Sequence, residues 1–242
     1  MGSKSRIAKY IVPIIQKYVD NNETDRYYEP FVGGANVIDK IRSSNKFASD
    51  LNHYLIALLT HVRDGGALYD DVPKSLYDKA RDAFNHGDTV EFEDWQIGNI
   101  GFIASYNGRW FDGGYAKPGY EKTKSGVRYR DYYKEASANL LAQAPDLRGI
   151  TFKSCDYRTA HPHGFTIYCD PPYANTKQYA NAQMFDYDEF WSIMREWSKD
   201  NIVIVSELCA PSDWTSIWEH EVSRSIKAAD KGIATEKLFI KD

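Results

Sequence analysis

The stretch RYYEPFVGGAN, residues 26–36, decides the fold because it joins a short extended run to a glycine turn. RYYEPF is typical of a short strand, and Gly33 and Gly34 let the backbone turn sharply and approach a ligand closely. No Lys-Ser/Thr pair follows the glycines, and no complete dinucleotide fingerprint is present. Two glycines alone are therefore interpreted first as a structural turn, with phosphate or nucleotide binding as the alternative.

The segments after this turn complete one half of a nucleotide-binding sheet. A helical pattern runs from Ala35 to about Arg42, the strand KFASD ends at Asp50, and the helix LNHYLIALLTHVRDG closes on Gly65. This order of strand, glycine turn, helix, strand and acid is typical of doubly wound α/β folds. Such folds place an acid roughly 20 residues after the glycines to accept hydrogen bonds from ribose hydroxyls, which suits Asp50.

A second corner, TIYCDPPYAN at residues 166–175, ends a later apolar strand. A turn uses the same residue types, but two consecutive prolines fix φ and remove two backbone donors. The corner therefore holds Asp170 and Tyr173 in a reproducible geometry. Because ligands of open α/β sheets lie at the carboxyl ends of the strands, we expect Asp170, Asp50 and the glycine turn to share one crevice.

The rest of the chain indicates an interrupted sheet. SKSRIAKYIVPIIQKYV has helical spacing that Pro13 should kink or split. PKSLYDKARDAF and FEDWQIGNIGFIASY are helical, followed by a Gly-rich loop with few convincing strands. Strands return as ITFKSC, FTIYCD and NIVIVSE and end with the edge-like KLFIK. We assign residues 1–66 and 146–242 to one α/β domain and 67–145 to a mostly helical insertion.

Composition limits the class of protein. The 242 residues are 43% hydrophobic, which allows a sizeable core, and no run is typical of a membrane span or a signal peptide. Cys155, Cys169 and Cys209 are interpreted as buried, reduced thiols of a cytoplasmic protein. His161 and His163 have no matching Cys or His partner, so we expect a surface loop there and no metal site.

The net charge of -4 argues weakly against nucleic-acid binding, but one segment is basic. In YAKPGYEKTKSGVRYRDYYK, residues 115–134, cations alternate with tyrosines. A solvated loop is one interpretation. The other is phosphate neutralisation, with tyrosines stacking on bases. The cations are Lys117, Lys122, Lys124, Arg128, Arg130 and Lys134.

EPFVGGANV, then SDLN and finally YCDPPY resemble the ordered motifs of the Dam-type DNA adenine-N6 methyltransferases. The order of glycine motif, insertion and DPPY is similar to the alpha group of amino-methyltransferases, whose target-recognition region lies between the motifs. GSKSRIAKYI, SYNGRWFDGGYAKPG and TEKLFIKD are similar to the family's Gly-x-Lys segment, its YNG…PxG pattern and its closing Glu-containing strand. The resemblance implies a Rossmann-like, S-adenosylmethionine-dependent methyltransferase sheet, with residues 67–145 as the DNA-binding target-recognition region.

The resemblance also implies a set of cofactor contacts. Lys4 would bind the methionine carboxylate of S-adenosylmethionine, and Asp50 would take the ribose hydroxyls. Asp156 and Tyr157, in SCDYR, would contact its adenine. The residues that would line its amino-acid end are Glu29, Phe31 and the backbone of Gly33 and Gly34.

For the DPPY residues the resemblance implies methylation of an exocyclic amine. The N6 lone pair of adenine is delocalised into the ring, so the amine is a poor nucleophile. Asp170 and the backbone carbonyl of Pro171 would each accept one N6–H, which pulls the nitrogen towards tetrahedral geometry. Pro172 would keep the corner stiff, and Tyr173 would stack on the target ring.

Such a pocket requires an extruded base and a way to hold DNA. Tyr179 and Phe185 are candidates for a second aromatic wall, with core packing an equally good interpretation of Phe185. The resemblance would also place Asn107, Arg109 and Trp110 near the bases, and Arg is the commonest reader of guanine in the major groove. The cations that would contact phosphates are Lys117, Lys122, Lys124, Arg128 and Arg130.

We therefore expect a site-specific DNA adenine-N6 methyltransferase that acts on double-stranded DNA as a monomer or weak dimer. Its compact form would suit an enzyme encoded by a phage or a mobile element, and we expect it in the cytoplasm of a bacterium or a phage-infected cell. Protection from restriction, mismatch marking and evasion of phage defence are alternative uses. One alternative is methylation of cytosine-N4 or of an RNA amine, whose sites more often show Ser-Pro-Pro-Tyr or another motif order. The other is a non-catalytic nucleic-acid-binding relative, which the intact DPPY corner disfavours.

Overall fold

The computed structural model describes residues 4–123, 126–172, 185–225 and 231–241. Three residues with predicted roles, Lys124, Tyr173 and Tyr179, lie outside the described residues.

The described residues form six α-helices and nine β-strands, numbered in chain order. The helices are α1 (Ala8–Asp20), α2 (His53–Arg63), α3 (Lys74–His86), α4 (Asp94–Gly98), α5 (Tyr132–Leu147) and α6 (Tyr187–Trp197). The strands are β1 (Arg26–Glu29), β2 (Asn45–Asp50), β3 (Gly119–Thr123), β4 (Gly126–Arg130), β5 (Ile150–Ser154), β6 (Thr166–Cys169), β7 (Ile202–Glu207), β8 (Trp214–Ser225) and β9 (Lys231–Lys241).

The chain divides into two compact units, which we call the sheet unit and the middle unit. Lys4–Leu51 and Cys155–Asp242 form the sheet unit, and Asn52–Ser154 lies in the middle unit. The middle unit therefore takes in α2 and β5, which the sequence assigns to the α/β domain. The assignment of catalysis and DNA binding to residues 1–66 with 146–242 and to 67–145 stays a prediction.

The sheet unit confirms the predicted α/β class. Its strands have the order β2-β1-β6-β7-β9-β8, and β1, β2, β6 and β7 are mutually parallel. All four residues of β6 are buried, as expected for a parallel strand covered on both faces. In the register, Tyr28 of β1 lies opposite Phe47 and Ile167. The carboxyl ends of the four parallel strands consequently lie together at one end of the sheet. We call this end the carboxyl edge, or the sheet edge, as distinct from an edge strand.

The edge strand is not the one that the sequence predicts. KLFIK belongs to β9, which runs antiparallel between β7 and β8, and β8 forms the edge. Leu238 and Phe239 are buried because β9 has a neighbour on each side. Trp214 and Trp218 are strand residues of β8, and Trp214 is buried in the core.

In the sheet unit, one helix is continuous through a proline and one predicted helix is absent. Pro13 does not split α1, because the helix buries Ile11, Ile15 and Val19 along one face and this packing outweighs the missing backbone bond. The segment after the glycine turn forms only the 3₁₀ turn Ile38–Lys40 instead of a helix from residue 35 to 42. A helix of so few residues has little cooperative stability of its own.

The middle unit is mostly helical, as predicted, but it also contains a β-hairpin. Its core is aromatic and aliphatic, with Tyr77, Ile97 and Ile100 fully buried. The hairpin pairs β3 with β4 in antiparallel register, so the prediction of a loop there is wrong. Its residues lack the apolar alternation that marks a half-buried strand, because both strands are largely exposed.

The cysteines are free, yet only Cys169 is buried, and Cys209 is exposed, contrary to the prediction. In the part of the chain that the structure describes, no helix has the length and apolarity needed to cross a membrane. The described His, Cys, Asp and Glu side chains form no group of three that could hold a metal ion.

Candidate active site

Acidic residues lie where the four parallel strands of the sheet unit end. Glu29 ends β1, Asp50 ends β2, Asp170 directly follows β6, and Glu207 ends β7. Because the strands are parallel, these carboxylates share the edge at which ligands of α/β sheets bind. The sequence predicts the first three of them for this site. Glu207 was missed, although NIVIVSE ends on it as FTIYCD ends on Asp170.

The glycine turn is held by the acid predicted to share its crevice. The backbone N–H of Gly33 donates to Asp50 Oδ2 at 3.1 Å. Gly33 has a φ of 48°, in the left-handed region that favours glycine. A Cβ built on Gly34 would lie 2.8 Å from Asn36 Nδ2, so that side chain would have to move. The structure thus brings Gly33, Gly34 and Asp50 together.

Glu29 is a buried carboxyl with one buried hydrogen-bond donor beside it. The Tyr27 hydroxyl donates to Glu29 Oε1 at 2.7 Å. Burial raises the pKa of Glu29 well above its ordinary value, and the carboxylates of Asp39 and Asp170 raise it further, against a smaller lowering by the Tyr27 bond. A positive group placed beside Glu29 would offset this desolvation. The carboxyl is therefore suited to a cationic ligand.

Lys4 lies between two carboxylates. Its Nζ is 2.9 Å from Asp170 Oδ1 and 3.2 Å from Glu236 Oε2. The side chains of Lys4, Asp170 and Glu236 are 8%, 21% and 15% exposed, so the ion pairs are largely shielded from water. The sequence assigns Lys4 to a cofactor carboxylate and gives Glu236 no role. The structure brings Lys4 to the predicted catalytic acid.

The Asp-Pro-Pro corner is also supported from α6. Pro171 is buried and Pro172 exposed, and the Tyr187 hydroxyl donates to the backbone carbonyl of Pro172 at 2.6 Å. Sequence analysis missed Tyr187, since it lies in the first turn of a helix beyond the motif. Burial raises the pKa of the Cys169 thiol, which agrees with its interpretation as an inert strand residue.

Aromatic rings next to the glycine turn include two predicted cofactor residues. The Phe31 and Tyr157 rings lie 4.9 Å apart, and burial raises the pKa of Tyr157 to about 12. Phe185 lies 5.8 Å from Tyr157 and 5.5 Å from Phe190, in half-buried packing against the core. These contacts favour the core interpretation of Phe185.

Asp156 begins a 3₁₀ turn and is held by a neighbouring arginine. Its carboxylate accepts the backbone N–H of Arg158 at 3.0 Å and the Arg158 Nε at 3.0 Å. These Arg158 hydrogen bonds, more than any other cause, lower the pKa of Asp156. Arg158 also lies 3.6 Å from Glu189 of α6. It was not singled out from the sequence, although it is the next residue but one.

In the middle unit, the residues predicted to lie near bases differ in exposure. Asn107 and Arg109 are exposed, and Asn107 has a φ of 55°. Trp110 is half-buried, with its ring 4.5 Å from Phe102 and 5.1 Å from Phe84. Trp110 therefore packs inside this unit, while Asn107 and Arg109 are presented to solvent.

The hairpin carries the basic and aromatic residues of the 115–134 segment. Tyr120 is 80% exposed and Tyr129 is 54% exposed, and their rings lie 5.2 Å apart. Two cations are neutralised locally, since Arg128 lies 3.4 Å from Glu135 and Arg130 bonds both Glu135 and Glu121. The exposed Lys117 and Lys122 form no ion pair with another described residue.

Comparison with known proteins identifies the family. Among curated proteins, none matches the chain. A similar solved structure is the rRNA methyltransferase aviRa from Streptomyces viridochromogenes, with a TM-score of 0.39 and 8% identity over 98% of this chain and 84% of that one. Residues 1–206 match the family model of the D12 class N6 adenine-specific DNA methyltransferases. The match spans both the glycine turn and the Asp-Pro-Pro corner, and this chain therefore belongs to the D12 class N6 adenine-specific DNA methyltransferase family.

Proposed function

We propose that this adenine-specific DNA methyltransferase uses S-adenosylmethionine as its donor and holds the target amine against Asp170. The observation that carries the proposal is the shared edge of the sheet. Asp170 follows β6 at the edge where Asp50 holds the Gly33 turn, and Lys4 contacts its carboxylate at 2.9 Å. An acceptor for an amine and a turn suited to a nucleotide are thus built on neighbouring parallel strands.

The residues at this edge fit S-adenosylmethionine in their chemistry. Glu29 is buried and gains from a nearby cation, which suits an α-ammonium group. Asp50 is a carboxylate acceptor for ribose hydroxyls. The Phe31 and Tyr157 rings offer apolar faces for a purine, with Asp156 beside them. When bound, S-adenosylmethionine supplies an electrophilic methyl group on its sulfonium.

Asp170 and the corner would act by orientation more than by strong basicity. The carboxylate accepts one N6–H and the Pro171 carbonyl accepts the other, so the nitrogen lone pair is turned out of conjugation with the ring. Asp170 is also placed to receive the proton that N6 must release. Tyr187 restrains the corner through the Pro172 carbonyl. Tyr173 would supply the stacking face for the ring.

The DNA would be held by exposed residues of the middle unit. Lys117 and Lys122 carry exposed ammonium groups suited to phosphates, and Tyr120 and Tyr129 offer exposed rings. Asn107 and Arg109 have side chains of the types that read base edges. An adenine within a duplex must be flipped out to reach an acceptor at the sheet edge. We place this activity in the cytoplasm, with the protein acting as a monomer or weak dimer.

The proposal is tested by incubating the protein with methyl-labelled S-adenosylmethionine and duplex DNA of mixed sequence, followed by nucleoside analysis. We expect the label in N6-methyl-2′-deoxyadenosine from the DNA. A parallel reaction with RNA of matching sequence should stay unlabelled. Label found only in cytosine, only in RNA or only in the protein would contradict the proposal.

A further inference from the structure

We propose that Glu236 is a positioning residue, which holds the Lys4 ammonium against Asp170 and so fixes the carboxylate that receives the target amine. The inference rests on the proposed function, since it concerns the orientation of the same acid. It gives the last strand of the sheet a part in catalysis. Lys4 thereby gains a role other than binding the methionine carboxylate.

Strand register brings Glu236 to the site. β9 pairs antiparallel with β7, and Lys237 lies opposite Glu207, the residue that ends β7. Glu236 is therefore level with the edge at which β6 and β7 end. From this position its Oε2 reaches Lys4 Nζ at 3.2 Å, while the same Nζ is 2.9 Å from Asp170 Oδ1.

A lysine needs such a second anchor if it is to fix another side chain. The ammonium sits on a flexible four-carbon stem with several rotatable bonds, so one ion pair leaves it mobile. Two carboxylates, one directly after β6 and one on β9, restrict Lys4 to the space between them. The contact is shielded, since Lys4 is 8% exposed, and solvent screens it less than a surface pair.

Contact with Lys4 is compatible with a catalytic role for Asp170. A carboxylate offers about four acceptor positions on its two oxygens, so a bond to Lys4 and a bond from N6–H can coexist. A carboxylate displaced by about 1 Å, in contrast, loses the alignment on which a positioned reaction depends. Restraint of Asp170 should therefore appear in kcat.

The variant Glu236→Gln separates this role from a structural one. Gln keeps the shape of the side chain and leaves Lys4 paired with Asp170, so no lone charge is buried. We expect kcat to fall about 10-fold to 100-fold. Binding of S-adenosylmethionine, measured by calorimetry on the unreacted protein, should stay within about 3-fold of wild type, because Lys4 keeps an anionic partner.

Glu219→Gln is the matched control. Glu219 lies on β8, the strand that pairs with β9, and its exposed carboxylate forms an ion pair with Lys237 at 3.3 Å. Exposed pairs contribute little, so this variant should keep kcat within about 2-fold of wild type. A Glu236→Gln enzyme with the kcat of this control would overturn the inference, as would one whose loss lies wholly in cofactor affinity.

A double-mutant cycle tests whether Glu236 acts through Lys4. Lys4→Met should lower kcat at least as far as Glu236→Gln, and adding Glu236→Gln to Lys4→Met should change kcat by less than about 2-fold. If the double variant loses kcat by the product of the two single losses, Glu236 does not act through Lys4. A wild-type protein that transfers no methyl group to adenine would contradict the proposed function itself. An active wild type in which the losses of kcat in the two single variants multiply in the double variant would contradict only the role of Glu236.

Discussion

The edge of the sheet unit and the hairpin of the middle unit both carry charged side chains, but they hold them in different ways. At the sheet edge, Lys4 and Asp170 are largely buried, and their ion pair joins parts of the chain distant in sequence. On the hairpin, Arg130 is neutralised by Glu135, five residues away, and Lys122 is exposed. Buried, restrained charge is suited to orienting a reacting group, and exposed charge is suited to attracting a polyanion. Substitutions at the two places should therefore affect different measurements.

The largest difference should come from Asp170→Ala. We expect methyl transfer to fall about 1,000-fold or more, because the amine loses its carboxylate acceptor. Duplex affinity should stay within about 3-fold, since the phosphate contacts are made elsewhere. Asp213→Ala is the control, because Asp213 is an acid of the same unit in a surface pair with Arg195. Equal losses of DNA affinity and turnover in Asp170→Ala would break the separation between the two regions.

Asp50→Ala should act on the cofactor. We expect affinity for S-adenosylmethionine to fall about 10-fold to 100-fold, as removal of a charged hydrogen-bond acceptor predicts. The loss combines the ribose contact with the bond that holds Gly33. Titration by calorimetry without DNA isolates this effect. Unchanged cofactor affinity would remove Asp50 from the binding site.

The double variant Lys117→Gln/Lys122→Gln should act only on DNA binding. We expect about 10-fold weaker duplex binding at moderate salt and a salt dependence reduced by about two phosphate contacts. The rate with saturating DNA should be unchanged. Lys199→Gln is the control, since Lys199 is an exposed lysine paired with Glu196 in the sheet unit. A parallel salt dependence in variant and wild type would show that these lysines do not contact phosphate.

The smallest effect is on stability, at Glu29. The folded protein raises the pKa of the Glu29 carboxyl above its ordinary value of 4.5. The contribution of this group to the free energy of unfolding is therefore fully present below pH 4.5 and is lost as the pH rises through the folded-state pKa. Glu29→Gln should therefore stabilise the unliganded protein by about 1–3 kcal/mol near about pH 8 and by little at acidic pH. Urea unfolding across this range measures the difference. A Glu29→Gln protein less stable than wild type at alkaline pH would contradict the assignment of Glu29 as a destabilising buried carboxylate. The same variant should bind S-adenosylmethionine more weakly, because it lacks the charge that would pair with the α-ammonium group.

Much of the sheet edge could be predicted because its residues follow apolar strands. Asp50 and Asp170 each come directly after a buried run, and parallel strands bring such residues together whatever the loops do. The Gly33 turn was predictable for a similar reason, since a positive φ favours glycine. These features depend on residues that are neighbours in sequence, so the sequence alone was enough to predict them.

The remaining features depend on contacts that no local pattern records. Glu236 reaches Lys4 across 232 residues of sequence, and only the antiparallel insertion of β9 beside β7 brings them together. The hairpin was missed because an exposed two-stranded ribbon needs no apolar face. The ring packing of Trp110 against Phe102 could not be predicted from its neighbours in sequence, and its place near the bases stays a prediction. Long-range burial and pairing are what the sequence alone did not show.

Lys4 and its two carboxylate partners, Asp170 and Glu236, are far apart in sequence, which has a consequence for folding during synthesis. Lys4 emerges from the ribosome early and Asp170 much later, yet the cation has its second anchor only after β9 has been made and inserted between β7 and β8. A nascent chain that ends before β9 can contain Lys4 and Asp170 but lacks Glu236, the second carboxylate that pairs with Lys4. Methyl transfer should consequently reach its full rate only after the last strand is in place, so full activity depends on the end of the described chain as much as on its beginning.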